Sequence, residues 1–380
     1  MPIYKMEGKK DGLQKYRVRI NYIDRDGKSK QLDRVAYGKD AAKELERQLN
    51  YDLKSGEATI SRMTLRELYN EYIKVKETET RETTLRVQRY RLEDHVLSHI
   101  GDVRINKLTN PILQKWKQSI EAYRTKDGSP FSINTKQGIY RTFNTMLEYA
   151  VRMEYIQKNP LPNIGNFKDV YTYKTEMDYY TAEEFKKYIA VAKECAEKNT
   201  GSMFEWNFYV FFNIAFYTGM RKGEINALKW SDITDNTIHI RRSIAQKLRG
   251  GDRETPPKNK SSVRDLQIPS TLTKILDEHK KRCKQLDGFS EDWRICGGEN
   301  CLRDSTIDHR NVSYAKLAGL KHIRIHDFRH SHASLLANNG INIQEIARRL
   351  GHSNVEITWN TYSHLYPKEE ERALKVLDSI

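Results

Sequence analysis

The stretch IRIHDFRHSHASLL, residues 323–336, carries the densest group of reactive side chains in the sequence. His326 and Arg329 are three residues apart, so a helix through this stretch places both on one face. The following residues, SHASLL, include the apolar side chains that such a helix needs for packing. The stretch therefore predicts a helix that presents an imidazole and a guanidinium to the same surface.

The same residues allow a competing interpretation as a metal site. His326 and His330 are four residues apart and Asp327 lies between them, which resembles a zinc protease helix with Asp in place of Glu. Arg329 would face the metal from the same surface and oppose its charge, and no third ligand follows at a familiar spacing. We therefore expect no metal here, and zinc remains the alternative.

Downstream, the segment INIQEIARRLGHSNVEITWNTYSHLYP occupies residues 341–367. A buried helical stripe is predicted from Ile343, Ile346, Ala347 and Leu350. Gly351 is expected to end this helix, so that His352 stands just beyond its end. Tyr362 follows ten residues after His352 in a second helical segment. A tyrosine in a chain with 22 of them is ordinarily structural, and only these neighbours single out Tyr362.

Upstream, the segment TGMRKGEINALKW at residues 218–230 combines a turn with the start of a helix. Arg221 lies at the helix start, where the backbone dipole favours an anion, and a guanidinium there can bind two phosphate oxygens. Glu224 is placed to orient it. Taken alone, the pattern is also that of an ordinary surface salt bridge.

Between these segments, PPKNKSSVRDLQIP at residues 256–269 predicts a lysine-bearing loop followed by a strand. A flexible ammonium group can be brought to a phosphate and can give a proton to a leaving oxygen. Lys258 and Lys260 are both candidates for this role. A solvated loop lysine is the competing interpretation.

The bulk properties of the 380-residue chain limit its partners. Lys and Arg number 66 against 51 Asp and Glu, a net charge of +15 that is spread along the whole sequence. Such a charge favours a long polyanion as partner. We expect no membrane span and no signal peptide, hence a cytoplasmic protein.

The N-terminal residues 1–58 predict a small β-sheet packed on one helix. Residues 13–23 alternate with period two, and 29–35 can return as the next strand, with a short edge strand at 3–6. The helix has an apolar stripe through Ala42, Leu45 and Leu49. A two- or three-stranded ribbon fits a DNA major groove, and the candidate contacts on its polar face are Lys15, Arg17 and Arg19.

Residues 62–165 predict a helical domain, with helices at 64–73, 83–98, 109–123 and 132–156. Thr64 and Glu67 form a capping box at its start. Its polar faces can contact phosphates through Arg86, Arg89, Lys115, Lys136 and Arg141. After a linker, Thr181 and Glu184 cap the first helix of a third domain, 175–380, which is mainly helical with a small β-like patch at 236–268. The fold class is thus multidomain α+β.

In order along 218–364, the segments TGMRKGE, PKNKSSVR, HDFRH, LGHSN and TYSH resemble the catalytic domain of the tyrosine recombinase (phage integrase) family. The N-terminal sheet and helix resemble the arm-site-binding domain of lambda-like and conjugative-transposon integrases, and the middle helices resemble their core-binding domain. The resemblance implies site-specific DNA strand exchange for a mobile element through a 3′-phosphotyrosine, with no cofactor and no metal.

The resemblance also implies a role for each catalytic position. Arg221 and Arg329 would clamp the phosphate, with Glu224 as support, and His326 would be the general base or proton relay. His352 would hydrogen-bond the phosphate and Tyr362 would attack it. Lys258 best matches the general acid, although Asn259 departs from the Thr common in the family and leaves Lys260 possible.

The implied partners are double-stranded DNA at core and arm sites and a homotetramer formed on DNA by exchange of C-terminal tails. An excisionase and a host DNA-bending protein are further expectations, as is association with the bacterial nucleoid. Two other functions stay open on the sequence: a type IB topoisomerase with comparable chemistry, and a DNA-binding regulator that has lost catalysis.

Overall fold

A computed structural model of the chain describes residues 3–23, 29–54, 63–169, 177–198, 203–246, 251–257, 260–366, 374 and 377–379. The chain divides into two compact units, Met1–Tyr173 and Lys174–Ile380. Residues 55–62, where the first predicted domain is followed by the second, and the candidate acid Lys258 lie outside the described residues. The mixed α+β class, mostly helical with small sheets, is confirmed.

The first part of unit one is an antiparallel sheet covered by a helix. Strands β1 (Ile3–Lys10), β2 (Leu13–Ile23) and β3 (Ser29–Tyr37) pair in the order β1-β2-β3, and helix α1 (Lys39–Lys54) follows. The alternation in β2 places one face against α1, since period-two side chains point to opposite sides of a sheet. The residues buried in this small core are Val18, Ile20, Ala36, Ala42 and Leu49.

The edge strand β1 is longer than the sequence pattern predicts. Its pairing with β2 is regular from Ile3 to Lys5, shifts register between Lys5 and Lys9, and then resumes to Lys10. Four steps along β1 match two along β2 here, so the irregularity accommodates two extra residues without ending the strand. The prediction of a strand ending at residue 6 was therefore too short.

The second part of unit one is helical and has its own core. It contains α2 (Leu65–Glu79), α3 (Glu82–Leu92), α4 (Ser98–Ile100), α5 (Asn110–Ala122) and α6 (Ile133–Arg152). The capping box is confirmed: Glu67 accepts from the Thr64 amide at 2.7 Å, and the Thr64 hydroxyl accepts from the Glu67 amide at 3.2 Å. Trp116 and Phe143 are both fully buried in this core and meet edge to face.

The helix predicted over 83–98 is interrupted. A π-helical turn, Glu93–Leu97, separates α3 from α4. The turn leaves the His95 carbonyl free to accept a hydrogen bond from the Trp116 indole at 2.8 Å. A cross-helix contact of this kind has no signature in local periodicity, so the interruption could not be predicted.

Unit two is built around a helix that is apolar on all sides. This helix, α8 (Met203–Thr218), is buried along nearly its whole length, as expected for the centre of a large core. The helices of the unit are α7 (Ala182–Lys198), α8, α9 (Lys222–Ala227), α10 (Ser270–Cys283), α11 (Asp304–Leu317), α12 (Asp327–Asn338), α13 (Ile343–Leu350) and α14 (Val355–Tyr362). The predicted cap of α7 is confirmed, because Glu184 and Thr181 exchange hydrogen bonds at 2.9 and 3.2 Å.

The β-like patch predicted at 236–268 forms two small sheets. Strands β4 (Ile233–Thr234), β5 (Thr237–Ile240) and β8 (Arg264–Gln267) form one, and β6 (Ser243–Ala245) pairs with β7 (Arg253–Thr255) in the other. Ile238, Ile240 and Leu266 fasten the first sheet to the core around α8. This attachment fixes the start of β8, which carries a residue of the site described below.

Candidate functional site

Arg221 is held at the point where α8 turns into α9. The turn contains Gly219 at φ 62°, and a Cβ there would lie 2.8 Å from the His332 ring, so glycine is required. Arg221 precedes the first residue of α9, and its guanidinium pairs with Glu224 at 2.9 Å. One third of the Arg221 side chain stays exposed. The fold therefore presents this arginine to solvent while one of its edges is fixed.

Glu224 is buried and shared between two arginines. Its second partner is Arg264 at the start of β8, whose guanidinium donates to Glu224 at 3.0 Å and to the carbonyl oxygens of Ser262 and Arg349. Burial would raise the pKa of Glu224, but the charge and hydrogen bonds of Arg264, with those of Arg221, hold it below its usual value. Sequence analysis gave Glu224 this supporting position but missed Arg264, which looked like an ordinary polar residue of a strand.

Arg329 lies on α12 and is 3% exposed. Its Nη1 donates to the carbonyl of Gly219 at 2.9 Å, which ties α12 to the Arg221 turn. Its Nη2 is buried and has no hydrogen-bond partner among the described residues. Burial and the nearby charge of Arg221 lower the pKa of Arg329, yet a guanidinium stays charged at neutral pH. A buried charged donor without a partner is costly unless a ligand satisfies it.

His352 stands just past the end of α13, as predicted. Gly351 ends that helix in the left-handed conformation, at φ 65°. The Nδ1 of His352 hydrogen-bonds the hydroxyl of Thr358 at 2.7 Å, which fixes the ring and leaves Nε2 for a ligand. Burial and the charges of Arg329 and Arg221 lower the pKa of His352 to about 4, so the ring is neutral at pH 7.

Tyr362 is the last residue of α14 and is 1% exposed. Its hydroxyl hydrogen-bonds Nδ1 of His330 at 2.6 Å. Burial raises the pKa of Tyr362, and the positive charge of Arg329 acts in the opposite direction. In sequence analysis His330 figured only as a possible zinc ligand, so its contact with the tyrosine was missed.

His326 immediately precedes α12 and its ring meets that of His330 edge to face, with centroids 5.1 Å apart. Burial of the ring within the cleft and the charge of Arg329 lower the pKa of His326. Across the described residues, the hydroxyl of Tyr362 has its hydrogen bond with His330 and none with His326. The predicted His326 thus lies in the cleft, one side chain removed from the tyrosine.

These side chains surround one cavity of about 340 Å³. Its lining comprises Arg221, His326, Arg329, His330, Gly351, His352, Ser353, Ile357, Thr361 and Tyr362. No carboxylate belongs to this lining within the part of the chain that the structure describes, and Glu224 lies buried behind it. Two guanidiniums, three imidazoles and a phenol around a cavity of this size suit an anion such as a backbone phosphate.

The two general-acid candidates, Lys258 and Lys260, precede strand β8 in the sequence. Lys258 lies outside the described residues. The backbone of Lys260 begins a 3-10 turn, Lys260–Ser262, that leads directly into β8. The Ser262 hydroxyl accepts from the Arg221 guanidinium at 3.5 Å, so this turn adjoins the arginine of the cavity. Which lysine serves as acid stays a prediction.

The basic face predicted on the N-terminal sheet is open and carries aromatic side chains as well. Arg17 lies directly opposite Tyr4 on β1 and Val35 on β3 in the register of the sheet. The side chains of Tyr4 and Val35 are about half exposed. Arg19 forms an ion pair with Asp33 at 2.8 Å, whereas Lys15 faces Tyr37 across the ladder. The three predicted residues share one face, and among the described residues Arg19 has a carboxylate partner on it, Asp33.

The basic residues predicted on the helices of unit one differ in their surroundings. Arg89 is paired with Glu77, and Lys136 with Glu121. Arg86, Lys115 and Arg141 are exposed on α3, α5 and α6. The ion pairs reduce the charge that Arg89 and Lys136 can offer to a phosphate.

A metal centre does not emerge from the geometry. Among the described residues, no group of three or more His, Cys, Asp or Glu side chains is arranged to hold a metal ion. In the same part of the chain, no helix is both long and apolar enough to cross a bilayer.

Comparison with known proteins gives two family matches. The family described as "Phage integrase family" matches residues 179–369, and "Phage integrase, N-terminal SAM-like domain" matches 64–120. The ICEBs1 integrase of Bacillus subtilis (strain 168) is 28% identical over 354 residues, 91% of each chain. A protein of Caldanaerobacter subterraneus named "Tyrosine recombinase XerC-like" is 28% identical over 318 residues, 75% of this chain and 72% of the relative.

Solved structures with the same fold include two integrases. The Tn1549 transposon integrase in complex with transposon right end DNA superposes with a TM-score of 0.64 at 20% identity, covering 84% of this chain and all of that one. A lambda integrase tetramer bound to a Holliday junction gives a TM-score of 0.57 at 18% identity, covering 95% and 94%. At these identities the likeness shows a shared fold.

Proposed function

The chain belongs to the phage integrase family and is a site-specific tyrosine recombinase of a mobile element, and we propose that Tyr362 is its nucleophile. One observation carries this proposal. Tyr362 lines the same cavity as Arg221 and Arg329, within a single chain. No other tyrosine lines that cavity among the described residues.

Arg329 and Arg221 bind the nonbridging oxygens of the scissile phosphate in this proposal. The buried Nη2 of Arg329 gains the partner that it otherwise lacks, and the exposed edge of Arg221 gives a second donor. His352 donates from Nε2, since Thr358 holds its Nδ1. Charge that develops on the phosphate is thus met by fixed donors, each of which commonly contributes about 10²–10³ in rate.

Cleavage then proceeds by in-line attack of the Tyr362 oxygen on phosphorus. The new bond is a 3′-phosphotyrosine, and the leaving 5′-oxygen takes a proton from the lysine of the 258–260 loop. The covalent ester conserves the energy of the broken link, so a 5′-hydroxyl of another strand can reverse the step without ATP. We propose that the two arginines supply the stabilising charge, that His352 adds a hydrogen-bond donor, and that no metal is required.

The test uses a nicked suicide DNA duplex, which releases a short strand after cleavage and traps protein on DNA. Wild-type protein is expected to form a covalent adduct that survives a denaturing gel, with or without EDTA. Tyr362→Phe is expected to bind the same DNA and form no adduct. An adduct in that variant would refute the assignment. If the wild-type protein forms the adduct and relaxes supercoiled DNA but does not recombine two sites, the result would favour a topoisomerase.

The sheet and the helices of unit one are proposed to bind two classes of DNA site. The open face with Lys15, Arg17 and Arg19 is proposed to enter the major groove of arm sites, because its exposed Tyr4 and Val35 add apolar contact to the charges. Arg86, Arg89, Lys115, Lys136 and Arg141 on the helices of unit one are proposed to contact core-site phosphates. An excisionase and a host bending protein are proposed to bring the two classes of site together.

The assembly on DNA is proposed to be a tetramer, the state in which lambda integrase binds a Holliday junction. In this proposal the C-terminal segment docks on a neighbouring protomer. Leu374 and Leu377 are more than half exposed within one chain, which leaves their apolar surface for another. Deletion of 368–380 is expected to abolish the tetrameric complex in native gels while leaving binding to a single site intact, and unchanged assembly would contradict the docking.

A further inference from the structure

His330 lines the cavity and connects two helices. It lies on α12, one residue after Arg329, and its Nδ1 is 2.6 Å from the hydroxyl of Tyr362 at the end of α14. The two rings are tilted with centroids 5.8 Å apart, so the contact is made edge-on through the polar atoms. A separation of this size is a strong hydrogen bond between a phenol and an imidazole.

We propose that His330 accepts the phenolic proton of Tyr362 during DNA cleavage and returns it during religation. The inference rests on the proposed role of Tyr362 as nucleophile. It assigns the base function to a residue other than His326, for which the family resemblance gave that role.

The neighbouring groups are worse placed to accept this proton. Arg329 is a cation with no acceptor atom. The Nδ1 of His352 is already bonded to Thr358, and the ring of His326 touches His330 rather than the hydroxyl. In the part of the chain that the structure describes, His330 is the hydrogen-bond partner of the Tyr362 hydroxyl.

The protonation state of His330 agrees with an acceptor. Burial lowers the pKa of His330 to about 4, helped by His326 and Arg329 and opposed by Asp327. At pH 7 the ring is neutral, and in the tautomer that carries its proton on Nε2 the phenol donates to the free Nδ1. When a scissile phosphate enters, its negative charge stabilises an imidazolium at this position.

The step balances in protons and bonds. As the bond between Tyr362 Oη and phosphorus forms, the bond from phosphorus to the 5′-oxygen breaks, and the phenolic proton passes to Nδ1 of His330. The proposed lysine acid of the 258–260 loop gives its proton to the 5′-oxygen. In religation the 5′-oxygen attacks phosphorus as its proton returns to the lysine, the bond from phosphorus to Tyr362 breaks, and His330 returns its proton to the departing phenolate, so both directions need the same imidazole.

The experiment measures single-turnover cleavage of the suicide duplex at saturating protein. His330→Ala and His330→Asn are compared with His309→Ala, an exposed histidine of α11 that serves as the matched control. Asn retains an acceptor for the tyrosine hydroxyl but cannot take its proton. If His330 is the base, both variants lose about 10²–10⁴ in rate while DNA affinity and the control stay at the wild-type level.

A second arm separates proton transfer from positioning. Added imidazole is expected to restore part of the rate of His330→Ala, and a fluorinated, more acidic tyrosine at 362 is expected to narrow the deficit of both variants. A rate within about threefold of wild type for His330→Asn would overturn the proposal and leave only a positioning role. If His330→Ala fails to fold, as judged by circular dichroism, His330→Asn with fluorotyrosine decides the question.

The proposed function has its own failure in these experiments. An adduct in Tyr362→Phe would refute the assignment of Tyr362 as nucleophile, and the role of His330 would be refuted with it. The other result is that the wild-type adduct is lost in Tyr362→Phe while His330→Ala and His330→Asn cleave at the wild-type rate. It would refute the role of His330 and leave Tyr362 as the nucleophile.

Discussion

Replacing Arg264 by Met tests whether the buried ion network holds the site together. Arg264 and Glu224 are 4% and 3% exposed in their side chains, and the substitution leaves Glu224 with Arg221 as its remaining cationic partner. The carbonyls of Ser262 and Arg349 lose a donor in the same step. Because burial makes a broken ion pair costly, we expect a loss of about 3–5 kcal/mol in the free energy of unfolding.

For a domain of the size of Lys174–Ile380, that loss corresponds to a drop of roughly 6–20 °C in Tm. The measurement is thermal unfolding of the full chain by circular dichroism and calorimetry, following the transition of this unit. The matched control is Arg348→Met, which removes an ion pair with Glu345 in which the side chains are 53% and 41% exposed. Such surface pairs contribute about 0–1 kcal/mol, so the control is expected to move Tm by no more than about 4 °C.

Equal Tm values for Arg264→Met and Arg348→Met would refute the reasoning, because burial is the main difference between the two pairs. A catalytic effect is expected as well. Arg221 is oriented by Glu224, and Glu224 is fixed by Arg264, so the variant should cleave the suicide duplex more slowly even at temperatures where it is folded. Undiminished cleavage would show that Arg221 is positioned by Glu224 alone.

Three further outcomes follow from particular contacts. Gly219→Ala, at φ 62°, places a Cβ 2.8 Å from His332 and 2.9 Å from Leu350. It is expected to lower Tm clearly more than the control Gly319→Ala, because Gly319 has a similar φ of 64° but no atom within 4 Å of the added Cβ. Equal losses of Tm in the two variants would mean that backbone strain alone matters. Burial lowers the pKa of His279 to about 4 and of His332 to about 3 in the folded chain. In the unfolded chain both histidines have the ordinary pKa of about 6.5, so below that pH the unfolded chain binds more protons than the folded chain. The free energy of unfolding should therefore fall as pH drops from about 6.5 towards 4, by up to about 1.4 kcal/mol per pH unit for each histidine. A Tm that increases as the pH is lowered over this range would contradict the prediction. Arg17→Ala is expected to weaken arm-site binding more than Arg19→Ala, since Arg19 already has Asp33 as partner, and to reduce the salt dependence of binding by about one charge; titrations at several salt concentrations measure both.

Most helices and strands could be predicted because their signals are local. The caps at Thr64 and Thr181 and the stop at Gly351 depend on side chains within a few residues, and each forms as expected. The order of the charged motifs also indicated which residues would line one cavity. Arg221, Arg329, His352 and Tyr362 all do.

Contacts between distant segments could not be predicted in the same way. Arg264 binds Glu224 across 40 positions, and nothing in a strand that begins with a polar residue announces a buried ion pair. His330 meets Tyr362 across 32 positions, and that distance depends on how α13 and its glycine stop direct α14 back onto α12. The four-residue spacing from His326 offered His330 only a role in the alternative zinc site, because periodicity shows which residues share a face but not what lies opposite.

The cavity as a whole has an electrostatic imbalance that its own residues do not correct. Glu224 offsets part of the charge of Arg221 and Arg264, but Nη2 of Arg329 is buried without a partner among the described residues. The same cationic surroundings help to keep His330 and His352 neutral, with pKa values of about 4. A phosphodiester supplies the missing negative charge, which satisfies Arg329 and raises the pKa of both histidines. In the proposed mechanism, substrate binding therefore makes His330 a better base at the moment when Tyr362 is to lose its proton.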